Sequence, residues 1–562
     1  MSDHVMELAR AYFLRAIDEQ ESGNLVSAEA LLRQARALVP ERESVLVNLA
    51  SVLFAQGQLE EAKELALSAL RVNPVNVQAL LCCGHCAQVA GNADEALQYF
   101  DAVLAIDGQS VIALIASARL MHGKGLGHSA MRHAELAVAL APEEADAWCV
   151  LGGVLSGLNR LQESLVAYRR ALALRPDWDD LLMDAGNASL AVGEYELGVD
   201  LFLRGVRLSP ERTDLLHNLG QAYALCGKYA LALEAYEQVL ALRPTAMTLW
   251  NRAHVRLAQG DYVEGFADYE ARWHTGMQPM HKALGPQWKG EPIAGKRLMI
   301  HAEQGYGDMI MFSRFLPMLA ELGAQVQIGV PKALLPIMRE TEGVERVCGG
   351  WHEVLPYDVH CPIMSLPGCL GVSLDRLPSS IPYISVPSAY QDKWRTRSVD
   401  GAAAKIGFVW SCSEHGSYSR RSMPLQVLCS LWGLFQNLTV FCVSLQNEYS
   451  QTDLNELKRQ PWLNDVSAEL KDFGDTAALI QTLDLVVTVD TAVAHLAGSL
   501  GKAVWVLLPY VSDWRWLIDR ADSPWYPSAR LFRQPAHGAW GRLMDEQVKP
   551  ELERWLDTKR AQ

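Results

Sequence analysis

Apolar and polar residues follow two different rhythms along this chain. Over the first half, apolar positions fall at helical spacing, and the pattern itself repeats. Prolines stand at positions 40, 74, 142, 176, 210 and 244, each 34 residues or twice 34 after the last, with Gly108 in the vacant place. Glycines keep the same phase at 23, 57, 91, 125, 193 and 227, with Asn159 in the remaining position. Small residues follow five places later, at Ala28, Ala62, Ala96, Ala130, Ser164, Gly198 and Ala232. The pattern predicts two helices per unit. Small residues let paired helices approach, aromatics fill the gap between units, and proline ends the second helix. An eighth, degenerate unit is expected over about 246 to 275. A Pro-, Gly- and Trp-rich stretch, HTGMQPMHKALGPQWKGEPIAGK, then breaks the repeat.

From Arg297 the rhythm changes. KRLMIHA reads as a strand, DMIMFSRFLPMLAELG as a helix, AQVQIGV as a strand and KALLPIMRET as a helix. The pattern restarts after VPSAYQDKWRTRSVDG. AKIGFVW, LTVFCVSLQ, DLVVTV and KAVWVLL read as strands, and LQVLCSLWGLF, DTAALIQTL and TAVAHLAGSLG as helices. Such alternation predicts two α/β units with parallel sheets, whose ligands bind beyond the carboxyl ends of the strands. The expected divisions are a repeat domain at 1–275, a linker at 276–296, a first α/β unit at 297–395 and a second at 396–562.

Composition narrows the classes. The 562 residues carry a formal net charge of −15, which argues against a sequence-independent nucleic-acid binder. No apolar run is long enough for a membrane span. The opening MSDHVMELARAYFLRAIDEQ has early acidic residues and no h-region, so no signal peptide is expected. Eleven scattered cysteines suit reduced thiols in a cytoplasmic protein. Cys82, Cys83 and Cys86 crowd together, but within an apolar helical pattern with only His85 beside them; they are read as packing.

The repeat, seen well in ADAWCVLGGVLSGLNRLQESLVAYRRALALRP, resembles the tetratricopeptide repeat. Such solenoids offer a groove lined by first helices. One first-helix position recurs as Asn48, Asp184, Asn218 and Asn251, side chains suited to pairing with an extended peptide's backbone. Other units carry Cys82, Ala116 and Val150 there, so the ladder is partial.

Three stretches of the second half carry candidate chemistry. AEQGYGDMIMFSRF follows the first strand: Gly305 and Gly307 permit a tight turn and close backbone approach, and Asp308 stands where it can cap the following helix. VDTAVAHLAG places Asp490 and Thr491 between strand and helix. The free N–H groups of Thr491, Ala492 and Val493 suit a phosphate, and His495 lies one helical turn on. WSCSEHGSYSRRSMPL sets Arg420 and Arg421 where two guanidinium forks can neutralise a leaving phosphate. Gln446 ends the next strand, and Trp514, Trp516, Trp525 and Tyr526 crowd one segment, ready either to stack on a ligand or to fill a lid.

Residues 297–540 resemble the heptosyltransferase-like glycosyltransferases of the GT-B fold, on the first two of these stretches and on DRADSPWYPSARLFRQ. With the repeats, the chain resembles bacterial tetratricopeptide-repeat glycosyltransferases, including those that modify flagellin. The resemblance implies an α-solenoid followed by two Rossmann-like units facing a cleft, with a final helix (MDEQVKPELERWLD) returning onto the first unit. It makes Asp308 the general base facing the acceptor, with Glu303 and Gln304 as further acceptor- or donor-side contacts. It makes Ser411, Arg420, Arg421, Gln446, Asp490, Thr491, Ala492 and His495 the donor side. Relatives usually carry a Gly-Asn pair where this chain has Ser411-Cys412-Ser413, and often Gly where it has Ala492. No cluster of carboxylates suggests a divalent cation, so no metal and no cofactor are expected. The co-substrate is a nucleoside-diphosphate sugar or a CMP-activated nonulosonic acid. The expected activity is sugar transfer to Ser or Thr of a protein acceptor such as flagellin. Transfer onto lipopolysaccharide or another glycan, and a non-catalytic repeat scaffold, are the alternatives.

Overall fold

The computed structural model describes residues 3–277, 281–395, 401–412, 420–436 and 439–560. The chain divides into two compact units, Met1–Leu219 and Gly220–Gln562.

The first unit is built of antiparallel helix pairs, from Asp3–Glu21 with Leu25–Leu38 onward. The turn glycines at 23, 57, 91, 125 and 193 all have positive φ, and so does Asn159 at φ 60°. Asparagine tolerates the left-handed region better than most residues, which explains its substitution there. Gly84, Gly152 and Gly186 lie under the rings of Phe100, Tyr168 and Phe202. An added Cβ would come within 2.7, 2.7 and 2.5 Å of those rings. The phased small residues Ala28, Ala62, Ala96, Ala130 and Ser164 are fully buried. The Ser164 hydroxyl donates to the Gly152 carbonyl at 2.7 Å. His85 lies between the rings of Phe54 and Phe100; the three cysteines beside it are free thiols, Cys83 and Cys86 buried in the helical core and Cys82 half-buried against it.

The second unit holds the last repeat, Ala246–Ala258 and Tyr262–Tyr269, and two parallel sheets. The first sheet contains β1 (Arg297–His301), β2 (Gln325–Gly329), β3 (Arg346–Cys348) and β4 (Val359–Pro362), ordered β3-β2-β1-β4. The second contains β5 (Ala404–Val409), β6 (Val440–Ser444), β7 (Leu463–Asp465), β8 (Leu485–Val489), β9 (Val504–Leu508) and β10 (Ala529–Arg533), ordered β10-β9-β8-β5-β6-β7. Each order reverses once, between β1 and β4 and between β5 and β8. Those switch points are where open parallel sheets bind ligands. β3, β4, β7 and β10 were not legible in the sequence, because three of them are only three or four residues long and β10 follows an aromatic loop. The helix expected over DMIMFSRFLPMLAELG is broken into Tyr306–Phe312 and Leu316–Glu321, with Pro317 in the first turn of the second piece.

Two expectations need correction. The repeat domain was read to end near 275, yet the last repeat shares its core with the sheets. Tyr262, Phe266 and Tyr269 pack in one cluster with Leu298, Phe312, Trp514 and Trp525. The compact division therefore falls at 219/220, not at the proline-rich stretch. The final helix, Lys549–Arg560, was expected to return to the first α/β unit. Its Leu552 and Leu556 instead pack with Ile406, Leu485, Trp505 and Phe532 on the second sheet, and Lys559 pairs with Asp484. The nearest apolar layer captures this short amphipathic helix.

A candidate active-site cleft

The second unit contains a cleft of about 1630 Å³, large enough for two substrates side by side. It is lined by the strand-end turns of both sheets and by Trp250, His254 and Tyr269 of the last repeat.

On the first sheet, β1 ends at His301 and the chain turns through Gln304, whose φ is +57°. A non-glycine residue in this region is uncommon and costs strain, and such residues concentrate at functional turns. The Gln304 amide donates to the Tyr269 hydroxyl at 2.6 Å. Asp308 is the third residue of its helix rather than the N-cap, which is Gly305; its Oδ2 reaches back and accepts from the Gly305 N–H at 2.9 Å. Its other oxygen meets the Arg515 guanidinium at 2.6 Å. Burial pushes the Asp308 carboxyl above its ordinary range, and Arg515 opposes that push without cancelling it, because Arg515 is shared with Asp513 at 2.8 Å. Asp513 is held down at about 2: burial acts upward, but Arg515 and Arg421 outweigh it.

Gly305 and Gly307 have separate duties. A Cβ on Gly305 would meet only Asp308 Oδ2, at 3.6 Å. A Cβ on Gly307 would lie 2.8 Å from the His495 ring and 3.4 Å from Ala492 Cα. Gly307 thus lets the helices Tyr306–Phe312 and Ala492–Ser499 cross closely, so that the two motif turns open on one cleft.

Glu303, read as a second candidate for the acceptor side, is engaged elsewhere. It forms a two-pronged ion pair with the fully buried Arg272, at 2.6 and 2.9 Å. Burial raises the Glu303 carboxyl and Arg272 counteracts it. Arg272, from the last repeat, also reaches Glu270 and Ser365.

On the second sheet, Asp490, Thr491, Ala492 and His495 line the cleft with Ser411, Arg421 and Gln446. Arg421 pairs with the buried Asp490 at 2.8 Å. Thr491 occupies the N-cap position of Ala492–Ser499 without capping it; its hydroxyl lies 3.1 Å from that of Thr488. Gln446, expected to reach a nucleobase or ribose, spends both ends of its amide on the Ser411 backbone. It shapes the loop in this state. Arg420 is exposed and outside the lining of the cleft, so of the two guanidinium groups it is Arg421 that the cleft contains. Residues 413–419 of that loop lie outside the described residues. His495 stacks on Trp516 at 5.2 Å and meets the Tyr526 hydroxyl at 3.0 Å. Burial drives its pKa down to about 3, with Arg515 adding to the effect, so the ring is neutral. Trp514, Trp516, Trp525 and Tyr526 are buried fillers rather than stacking platforms; the Trp525 indole donates to the Tyr262 hydroxyl at 2.9 Å.

In the repeats, Asn48 donates to Ser44 of its own helix, and Asn218 to Asn187. Asp184 is half-buried, which raises its carboxyl, and Asn251 is half-buried. Sequence reading missed Arg515 and the cleft-lining face of the last repeat. One signal was present: a lone arginine between two tryptophans in Asp513-Trp-Arg-Trp516.

Residues 20–81, 145–177 and 213–245 match the tetratricopeptide repeat family. The chain therefore contains tetratricopeptide repeats, which are protein-interaction modules. Protein FlbA of Caulobacter vibrioides is 28% identical over 325 residues, covering 53% of this chain and 54% of FlbA. The chain thus spans about half the length of that relative. Among solved structures it is similar to MamA protein (21% identity, 30% of this chain and 91% of that one, TM-score 0.27). It is also similar to YrrB, described as a TPR protein with an unusual peptide-binding site (20% identity, 33% and 94%, TM-score 0.29). A third is PilF of Pseudomonas aeruginosa (15% identity, 38% and 97%, TM-score 0.35). No helix among the described residues is long and apolar enough to cross a membrane.

Proposed function

We propose that this chain is a protein O-glycosyltransferase of GT-B type. Its repeats hold a protein acceptor such as flagellin, and its cleft moves a sugar from a nucleotide-activated donor to a Ser or Thr hydroxyl. One observation carries the reading: Asp308 and the Asp490–Thr491 turn, from separate sheets, line a single cleft that also contains Arg421 and Arg515. In the proposed step the acceptor oxygen bonds to the anomeric carbon, the bond from that carbon to the phosphate oxygen breaks, and the hydroxyl proton passes to Asp308. An ionised carboxylate has about four lone-pair sites, so the Gly305 and Arg515 contacts leave room for that proton. Its raised pKa suits a base. Arg421 and the amides at the start of Ala492–Ser499 would stabilise the departing phosphate. The test is the intact mass of flagellin co-expressed with the chain in a host that makes the activated sugar. Wild type should add sugar mass, and Asp308→Asn should not. An unchanged flagellin mass with wild type would remove flagellin as the acceptor, and modification by Asp308→Asn would remove Asp308 as the base.

A further inference from the structure

His301 ends β1 and is buried. It is not alone. His301 and His360 project from one face of the neighbouring parallel strands β1 and β4, since Met299 is the register partner of His360 and shares a face with His301. A third histidine arrives from residues 281–288. That segment is tied to β4 by a bridge between Gln287 and His360, by the Trp288 N–H donating to the His360 carbonyl at 2.8 Å, and by the His360 N–H donating to the Pro286 carbonyl at 3.1 Å. His281 thereby comes to rest against both other rings, with centroids 4.9 Å from His301 and 4.7 Å from His360.

One nitrogen from each ring lies within 4.8 Å of the others. His301 Nε2 and His360 Nδ1 are 3.3 Å apart, in a hydrogen bond that a shared cation would replace. A tetrahedral ion with metal–nitrogen bonds of about 2.0–2.1 Å needs its ligand nitrogens about 3.3–3.4 Å apart, so two of the three are already at ligand spacing. Among the described residues, His281 Nδ1 is buried and has no hydrogen-bond partner. A buried ring nitrogen without a partner is costly unless something accepts its lone pair or its proton. Three imidazoles whose nitrogens lie this close offer a borderline donor set suited to late first-row divalent cations, zinc above all.

We infer that His281, His301 and His360 form a zinc-type cation site at the switch point of the first sheet. Both His281 and His301 also line the cleft, which leaves a fourth position for water or for an oxygen of a cleft-bound ligand. The inference is independent of sugar transfer, since it rests on the geometry of the trio alone.

The test is calorimetric titration of the chelator-treated full chain with ZnCl2. One equivalent should bind, and zinc should raise the melting temperature. His281→Gln, on the segment outside the strands, should keep the apo melting temperature and weaken zinc binding at least tenfold. His301→Gln with His360→Gln should abolish binding, with circular dichroism checking the fold. Co2+ in place of zinc should give the spectrum of a tetrahedral ion in wild type and not in His281→Gln. Zinc affinity unchanged by His281→Gln, absence of stoichiometric binding by wild type, or loss of binding in a Cys82→Ser/Cys86→Ser variant instead would each overturn the site.

Discussion

The Asp308 carboxylate serves two neighbours and a cavity: the Gly305 N–H, the Arg515 guanidinium and the cleft. Asp308→Asn keeps an oxygen at the third helical position that can still accept from the Gly305 N–H. It removes a charged partner from Arg515, which retains Asp513. The variant should lose about 1–3 kcal/mol of stability, short of the roughly 3–5 kcal/mol expected when a buried charge is stranded. Transfer should fall by roughly 100- to 10,000-fold; paired thermal melts and initial rates check both. A base must be ionised, and burial raises this one. The acid limb of the wild-type rate should therefore lie above the ordinary aspartate range. His495 gives a separate pH signal. Its folded pKa of about 3 lies below the unfolded value of 6.5, so the unfolded chain binds the extra proton between those limits. Its contribution to stability is present above pH 6.5 and lost as pH falls toward 3. His495→Gln should flatten the melting profile in that window, by up to about 1.4 kcal/mol per pH unit.

At the scale of elements, the close crossing of Tyr306–Phe312 over Ala492–Ser499 depends on one missing methyl. Gly307→Ala would drive a Cβ into His495, a ring held by Trp516 and Tyr526, and toward the Ala492 backbone. The helices must move apart. The expected cost is about 1–3 kcal/mol of stability, with transfer reduced tenfold or more because the reacting groups separate. Gly305→Ala is the control: φ is −90° and its Cβ has room, so it should cost only the roughly 1 kcal/mol or less of placing Ala at an N-cap and leave the rate near wild type. Equal behaviour of the two variants in melts and assays would remove the crossing argument. The sequence announced both glycines but not their separate duties, because the partner of Gly307 lies on a helix near residue 495.

For the whole molecule, the division at 219/220 matters more than the proline-rich stretch. A fragment of residues 1–209 ends between helices and retains complete helix pairs, which need only their neighbours. It should be soluble and helical by circular dichroism. A fragment of residues 1–275 carries Tyr262, Phe266 and Tyr269 without the sheets that bury them, and Arg272 without Glu303. It should aggregate or melt lower, as light scattering and melts would report. A 276–562 fragment should fail in the complementary way, with Glu303 buried and unpaired.

Local rules wrote much of this protein into its sequence. The 34-residue period, the positive-φ turn positions including Asn159, and the Gly–aromatic packing follow from sterics acting within one or two repeats. Most strands, and the placing of Asp308 and Thr491 at strand ends, follow from apolar patterning and turn chemistry. The tertiary structure decided what depends on residues far apart in the chain. It gave Asp308 to Arg515 and Glu303 to Arg272, turned Gln446 onto Ser411, buried Trp514, Trp516 and Trp525 and joined the last repeat to the sheets. It also gathered His281, His301 and His360, which no spacing in the sequence connects. Ion pairs, ligand clusters and close helix crossings are set by which distant segments share a low-dielectric interior. Their partners therefore become known only once the sheets and helices have packed.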